Sequence, residues 1–291
     1  MELDNIKRVY FVGIGGIGMS ALARYFVKRK CIVCGYDKTK TNLTAALEQE
    51  GVLISYVDNE DTLPNCFTAD DKETLVIYTP AIPKNSEILN YYKGHGFKLK
   101  KRSEVLGIIS KGQFCIAVAG THGKTTTSSV VAHILTDTGY GCTAFLGGIA
   151  TNYNSNFLIG NNNVVVVEAD EYDRSFLTLH PDISVITSMD ADHLDIYGDA
   201  SQLQESFQLF AGQLKPEGTL FAKKGLPIAG SISYSADLDS QVKAKNIRVE
   251  HASFVFDYED ADHSIEGISL MLPGKHNVEN TVAAIAVALK L

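Results

Sequence analysis

Short apolar runs and helical stripes take turns along this chain. "RVYFVGI" is an apolar run of strand length, and from Ile17 the positions Ile17, Ala21, Leu22, Tyr25 and Phe26 recur at helical spacing. "CIVCGYD" reads as the next strand, "LTAALEQEG" as a helix stopping at Gly51, and "TLVIYTPAI" as another strand. "SEILNYYKGHG" reads as a helix, and "FKLKKRSEVLGIIS" as a short strand running into a helix. A second series starts at Phe114. "FCIAVAG" is strand-like, and Val130, Val131, Ile134 and Leu135 mark the inner face of the helix after it. "NVVVVEAD" and "DISVITS" are apolar without alternation, as strands are when both faces of a sheet are covered. "TLFAKKG" follows, then a hairpin pattern in "ASFVFDY" and "ISLMLPG". Val278, Val282, Ile285 and Leu289 line one face of a last helix over 277–291.

Strands alternating with helices predict βαβ units, mostly parallel sheets and an α/β fold. The 291 residues suit two domains, and the break falls at Ser110–Gln113, giving domains 1–110 and 111–291. No apolar run approaches the ~20 residues that span a bilayer. The start "MELDNIKRVYFVGIG" lacks the basic opening and small-residue cleavage site of a secretory signal. A cytoplasmic protein with no membrane partner is expected. The formal charge of −8 argues against a nucleic-acid partner. It leaves small anionic ligands open, because N–H groups at a helix start bind phosphate whatever the net charge. Cys31 and Cys34 form a C-x-x-C on a strand, where residues three apart face opposite ways, so they read as buried thiols and not a metal pair.

Two glycine turns carry the chemistry. "GIGGIG" sets Gly13, Gly15 and Gly18 in G-x-G-x-x-G register between a strand and a helix, with Asp37 closing the second strand about 20 residues on. This is a Rossmann-like, doubly wound context. The pattern admits the diphosphate of a dinucleotide or of a nucleotide sugar equally. "AGTHGKTTT" gives G-x-x-G-K-T from Gly120 to Thr125, a shorter cradle than the usual P-loop. Its backbone N–H groups can wrap phosphates, Lys124 can neutralise them, and the Thr125 hydroxyl can ligate Mg²⁺. Because Lys124 lies past the end of its strand, its removal is expected to cost ATP binding and leave the fold intact. Oxygen ligands for Mg²⁺ are offered by Glu168, Asp170, Glu171 and Asp173 after four valines. Glu168 comes first among them, and Asp173 fits a solvated turn as well. "SMDADHLD" adds Asp190, Asp192, His193 and Asp195 past another strand.

The set "YFVGIGGIGMSALA", "AGTHGKTTT", "VVEADEYDRSF", "DADHLDIYG" and "PGKHNVENTVAA" resembles the Mur ligase family in order and spacing, over essentially the whole chain. The resemblance implies a Rossmann-like UDP-sugar-binding domain followed by a central P-loop ATPase-like α/β domain. It implies that Gly120, Thr121, His122, Gly123, Lys124, Thr125 and Thr126 hold ATP, with His276, Asn277 and Asn280 on its adenine side. Thr125, Glu168 and His193 would be the metal positions, with Lys124, Glu168 and His193 nearest the chemistry. Gly13, Gly15, Gly16, Ile17 and Gly18 would bind the UDP diphosphate in place of NAD. Asp37, Thr79, Asn85 and Arg102 would serve the same sugar nucleotide.

The implied reaction joins L-alanine to the carboxylate of UDP-N-acetylmuramate through an acyl phosphate made from ATP. The alternatives are a family member that adds a preformed murein peptide to the same acceptor, and a non-catalytic nucleotide-binding module. Several family members use a carbamylated lysine downstream of the metal-site histidine, and no lysine occurs between Lys124 and Lys215 here. The family's third domain, which binds the incoming amino acid, is expected to fall outside these 291 residues, so that the two domains alone would not complete ligation.

Overall fold

The computed structural model describes residues 3–68, 72–190 and 200–291. The chain divides into two compact units, Met1–Gly112 with Phe145–Phe157, and Gln113–Ala144 with Leu158–Leu291. Pattern reading gave everything after 110 to one unit. The return of Phe145–Phe157 to the first unit has no signature in the apolar periodicity.

The first unit runs β1 (Arg8–Val12), α1 (Ile17–Lys28), β2 (Ile32–Tyr36), α2 (Asn42–Gln49), β3 (Leu53–Ser55), β4 (Thr74–Tyr78), α3 (Glu87–Gly94), β5 (Lys98–Lys101) and α4 (Arg102–Lys111). Its strands form a parallel sheet in the order β3-β2-β1-β4-β5. The order reverses at β1, which stays paired with β4 as far as Val12 and Tyr78; at such a switch point the connections that follow the two strands run to opposite faces, and α/β sheets take ligands there. A core of Tyr10, Val12, Phe67, Val76, Ile88 and Tyr92 packs one face, with Tyr10 and Phe67 edge to face at 5.5 Å. Cys34 lies in this core and burial pushes its thiol up to about 11, whereas Cys31 is only half-buried. The short β3 escaped the sequence reading because three residues show no periodicity.

The second series runs β6 (Phe114–Ala119), α5 (Lys124–Asp137), β7 (Thr143–Ala150), β8 (Ser155–Leu158), β9 (Val164–Glu168), β10 (Ile183–Ile186), α6 (Ala200–Ala211), β11 (Thr219–Lys223), β12 (Ile232–Ser235), β13 (Val242–Glu250), β14 (Ser253–Glu259), β15 (Ser264–Leu270) and α7 (Lys275–Ala288). The sheet order is β15-β14-β13-β12-β11-β10-β6-β9-β7-β8. β6 sits between β9 and β10, parallel to both, and all three are buried on both faces, as their unbroken apolar runs require. The hairpin of β14 and β15 is antiparallel, and β13 joins it. On α5 the buried face is Thr127, Ser128, Val131, Ala132 and Leu135, so Val130 and Ile134 sit at its margin. Ile17 departs from its stripe too: it is 37% exposed at the mouth of the first glycine turn.

The close approach of β1 and β2 sets the first turn. Gly35 pairs with Phe11, and a Cβ there would lie 2.8 Å from both Phe11 O and Ile14 Cδ1. Gly35→Ala is therefore expected to overpack this contact and lower stability by about 1–3 kcal/mol. Urea unfolding checks it, and an unchanged midpoint would show that the strands can yield.

Candidate functional site

The first turn, Gly13–Gly16, joins β1 to α1 and is held from three sides. Gly13 has φ +92°, which glycine tolerates, and a Cβ there would lie 2.7 Å from Thr79 Cγ2. Asp37 Oδ2 accepts the Gly15 N–H at 2.7 Å while its Oδ1 accepts from Thr39 N–H at 3.1 Å. A Cβ on Gly18 would lie 2.6 Å from Arg102 Nη1, so the guanidinium rests against the opening turn of α1. The start of α4 is fixed by Glu104, whose Oε2 accepts the Lys101 N–H at 2.7 Å. Burial alone would raise the Glu104 carboxyl, but that bond and Lys100 at 3.0 Å hold it below its usual range. The structure thus brings Gly13, Gly15, Gly18, Asp37, Thr79 and Arg102 together. Gly16 and Ile17 are exposed at the same turn. Asn85 is exposed in the loop before α3 and joins none of these contacts.

The second turn, Gly120–Gly123, joins β6 to α5, and the neighbouring strand β10 grips it. Thr187 N–H donates to Ala119 O at 2.9 Å, and Thr187 Oγ1 donates to the carbonyls of Ala119 and His122. Ser188 Oγ accepts the His122 N–H at 2.7 Å and meets Thr121 Oγ1 at 2.9 Å. Gly120 (φ +141°) leaves room for Thr187, where a Cβ would collide with its hydroxyl. Gly123 (φ +84°) would place a Cβ 2.7 Å from Asn280 Oδ1. Helix α7 packs on α5, so Asn280 and the GKT turn are neighbours, and Asn277 Nδ2 is tied to Pro273 O at 2.6 Å. His276 and His122 are exposed, the latter 4.0 Å from Asp190. Thr126 lies on the first turn of α5, half-buried. His193, Asp192 and Asp195 lie outside the described residues.

Thr187 and Ser188 were missed by the sequence reading. Their signal was a pair of hydroxyl residues just past an apolar strand, in "VITSMD", overshadowed by the acids that follow.

The acids after β9 divide their work. Thr125 Oγ1 donates to Glu168 Oε1 at 3.0 Å, which sets two hard oxygen donors side by side, as Mg²⁺ prefers. Glu171 points inward. Its side chain is 1% exposed and its carboxylate pairs with Lys124 Nζ at 2.8 Å and 3.0 Å, while Lys124 also donates to Gly120 O. The chain beyond it reverses through Asp173 and Arg174, both left-handed (φ +51° and +53°). Phe176 then anchors the segment, stacked on Phe210 at 4.9 Å. Among the described residues no three His, Cys, Asp or Glu side chains cluster as a complete metal cage.

The Lys124–Glu171 pair corrects the expectation that Lys124 can be removed without touching the fold. Deleting one partner of a buried ion pair takes away the charge that the other faces, a loss of about 3–5 kcal/mol. Lys124→Ala is expected to fall in that range, and Lys124→Ala with Glu171→Gln to recover more than half of it, because a neutral amide is cheaper to bury. A double-mutant cycle by urea unfolding reads this coupling directly. Strictly additive losses would show that the two groups ignore each other.

Against known proteins, the description "Mur ligase family, catalytic domain" matches residues 8–114, and "Mur ligase middle domain" matches residues 118–288. The chain is 51% identical over 288 residues to the UDP-N-acetylmuramate–L-alanine ligase of Flavobacterium psychrophilum. It is 47% identical over 289 residues to that of Christiangramia forsetii. In each case 99% of this chain is covered and it spans 64% of the relative's length. The crystal structure of the UDP-N-acetylmuramate–alanine ligase of Thermotoga maritima superposes with a TM-score of 0.85 at 28% identity, covering 98% of this chain and 65% of that one. A ligase for UDP-N-acetylmuramate and L-alanyl-γ-D-glutamyl-meso-diaminopimelate from Neisseria shares the fold, with a TM-score of 0.84 at 22% identity, covering 98% of this chain and 93% of that one. Two matched domains in sequence order, on the two glycine turns described above, place the chain in the Mur ligase family.

Proposed function

We propose that the protein serves ATP-dependent amide-bond formation between the carboxylate of UDP-N-acetylmuramate and L-alanine. The observation that carries this reading is the gathering of Lys124, Thr125, Glu168 and Asn280 around the GKT turn, in a chain whose first unit carries a glycine turn of different character at Gly13–Gly18. The relatives near 50% identity are L-alanine ligases, which favours L-alanine over a preformed peptide as the added group.

In this reading the muramate carboxylate attacks the γ-phosphorus of ATP, ADP leaves, and an acyl phosphate forms. The L-alanine amine then attacks the acyl carbon, phosphate departs, and the amine proton is lost. No protein nucleophile is needed. The work of this chain is positioning and charge stabilisation. The N–H groups opening α5 have no partners within the helix and face the phosphates, and Lys124 supplies the cation beside them. Thr125 and Glu168 would hold Mg²⁺, with His193 as the family's further ligand. The metal would offset charge on the phosphate oxygens. Arg102 and the opening turn of α1 would receive the UDP diphosphate.

The Asp37 carboxylate favours the sugar nucleotide over NAD. It is engaged by the Gly15 and Thr39 N–H groups and so braces the turn itself. Such a role differs from that of an acid reaching out to a ribose hydroxyl. Among the described residues no helix is long and apolar enough to cross a membrane. A cytoplasmic setting, where ATP and nucleotide sugars are found, fits this reading.

Calorimetric titration separates the possibilities. The chain is expected to bind UDP-N-acetylmuramate saturably and to leave NADH unbound. Tight NADH binding that UDP-N-acetylmuramate fails to displace would overturn the assignment of the first turn.

A further inference from the structure

The segment Phe145–Phe157 belongs to the first unit although the GKT turn precedes it in sequence. Tyr25 on α1 meets Phe145 at 5.7 Å and Phe157 at 6.3 Å between ring centroids, and these two rings lie 5.3 Å apart. Beside them Asn156 is fully buried, at 0% exposure. Its amide nitrogen donates to Ile17 O at 2.6 Å and to Ser20 Oγ at 2.9 Å, and its Oδ1 accepts from Arg24 Nη1. Arg24 is itself buried and turns its Nε to Glu50 at 2.8 Å. Ser20 and Arg24 are one helical turn apart and share a face, so a single amide bridges both and the Ile17 carbonyl, to which Ser20 Oγ also donates at 2.8 Å.

The consequence follows from the planarity of the peptide unit. The Ile17 carbonyl and the Gly18 N–H belong to one rigid plane, so a grip on the oxygen fixes the direction of the N–H. Gly18 is the second residue of α1, where the N–H has no partner within the helix and serves anions. Arg102 rests against the same residue.

We propose that Asn156 is a positioning residue for the sugar-nucleotide site, orienting the Gly18 N–H through the Ile17 carbonyl. This rests on reading the Gly13–Gly18 turn as the UDP-diphosphate site. Sequence distance hides the role: Asn156 lies 139 residues from Ile17 and in no glycine motif.

The test uses Asn156→Asp and Asn156→Ala in the 291-residue chain. Aspartate keeps an oxygen for Arg24 but has no N–H for Ile17 O or Ser20. Two readouts are taken: hydrogen exchange of the α1 amides Ser20 and Ala21, the first that bond within the helix, in the free protein, and calorimetric affinity for UDP-N-acetylmuramate and for ATP. Both variants are expected to exchange these amides faster and to bind UDP-N-acetylmuramate roughly tenfold more weakly, with ATP affinity within about twofold of the parent. Parental exchange and affinity in Asn156→Asp would overturn the proposal, as would equal losses for both ligands accompanied by a fall in melting temperature. If the parent chain fails to bind UDP-N-acetylmuramate, the reading of the turn falls and takes the proposal with it. Parental binding with unaffected variants sinks the proposal alone.

Discussion

The ground around the start of α5 depends on a missing atom, the Cβ that Gly120 and Gly123 lack. Without it Thr187 closes on one side of the turn and Asn280 on the other, and three sequence-distant segments meet at one helix start. The hydroxyls of Thr187 and Ser188 then take up carbonyl and N–H groups of the loop, so its shape is set before any ligand arrives. Preorganisation of this kind is what an electrostatic site requires, since donors already in place need no rearrangement as charge develops.

The two glycine turns solve one geometric problem with different electrostatics. At the first turn a cation, Arg102, lies against the helix start, and the nearby acid Asp37 is absorbed in bracing the loop. At the second turn the cation Lys124 is already paired with a buried acid, and a further acid, Glu168, stands beside a threonine hydroxyl. If the second turn takes phosphate as proposed, its acids call for a divalent cation to share the site, because carboxylates and phosphates otherwise repel. On the same proposal, the first turn, with its arginine, needs no such help to receive a diphosphate. Membership of the Mur ligase family fits this division of labour.

Much of this was legible in the residues. "GIGGIG" and "AGTHGKTTT" located both turns, and the unbroken valines before Glu168 located a doubly covered strand. Arg102 and Thr79 lie against the first turn, while Asn85 is outside its contacts. What escaped was long-range. The buried Glu171 read as one of four acids offered to Mg²⁺, because nothing local distinguishes a carboxylate that faces a lysine 47 residues back. Asn156 sits in "NYNSNF", outside every motif in the sequence, and only the fold turns its amide into the core. Hydropathy also misplaced the inner face of α5, since Thr127 and Ser128 are buried there on the strength of their position.

The claim that the two turns take different ligands is tested most directly by amide chemical shifts in the isotope-labelled chain. Addition of Mg-ATP should move the amides of Gly120–Thr126 and Asn280 and leave Gly13–Gly18 in place. Addition of UDP-N-acetylmuramate should do the reverse. Perturbation of Gly13–Gly18 by ATP, with the GKT turn unmoved, would contradict the account.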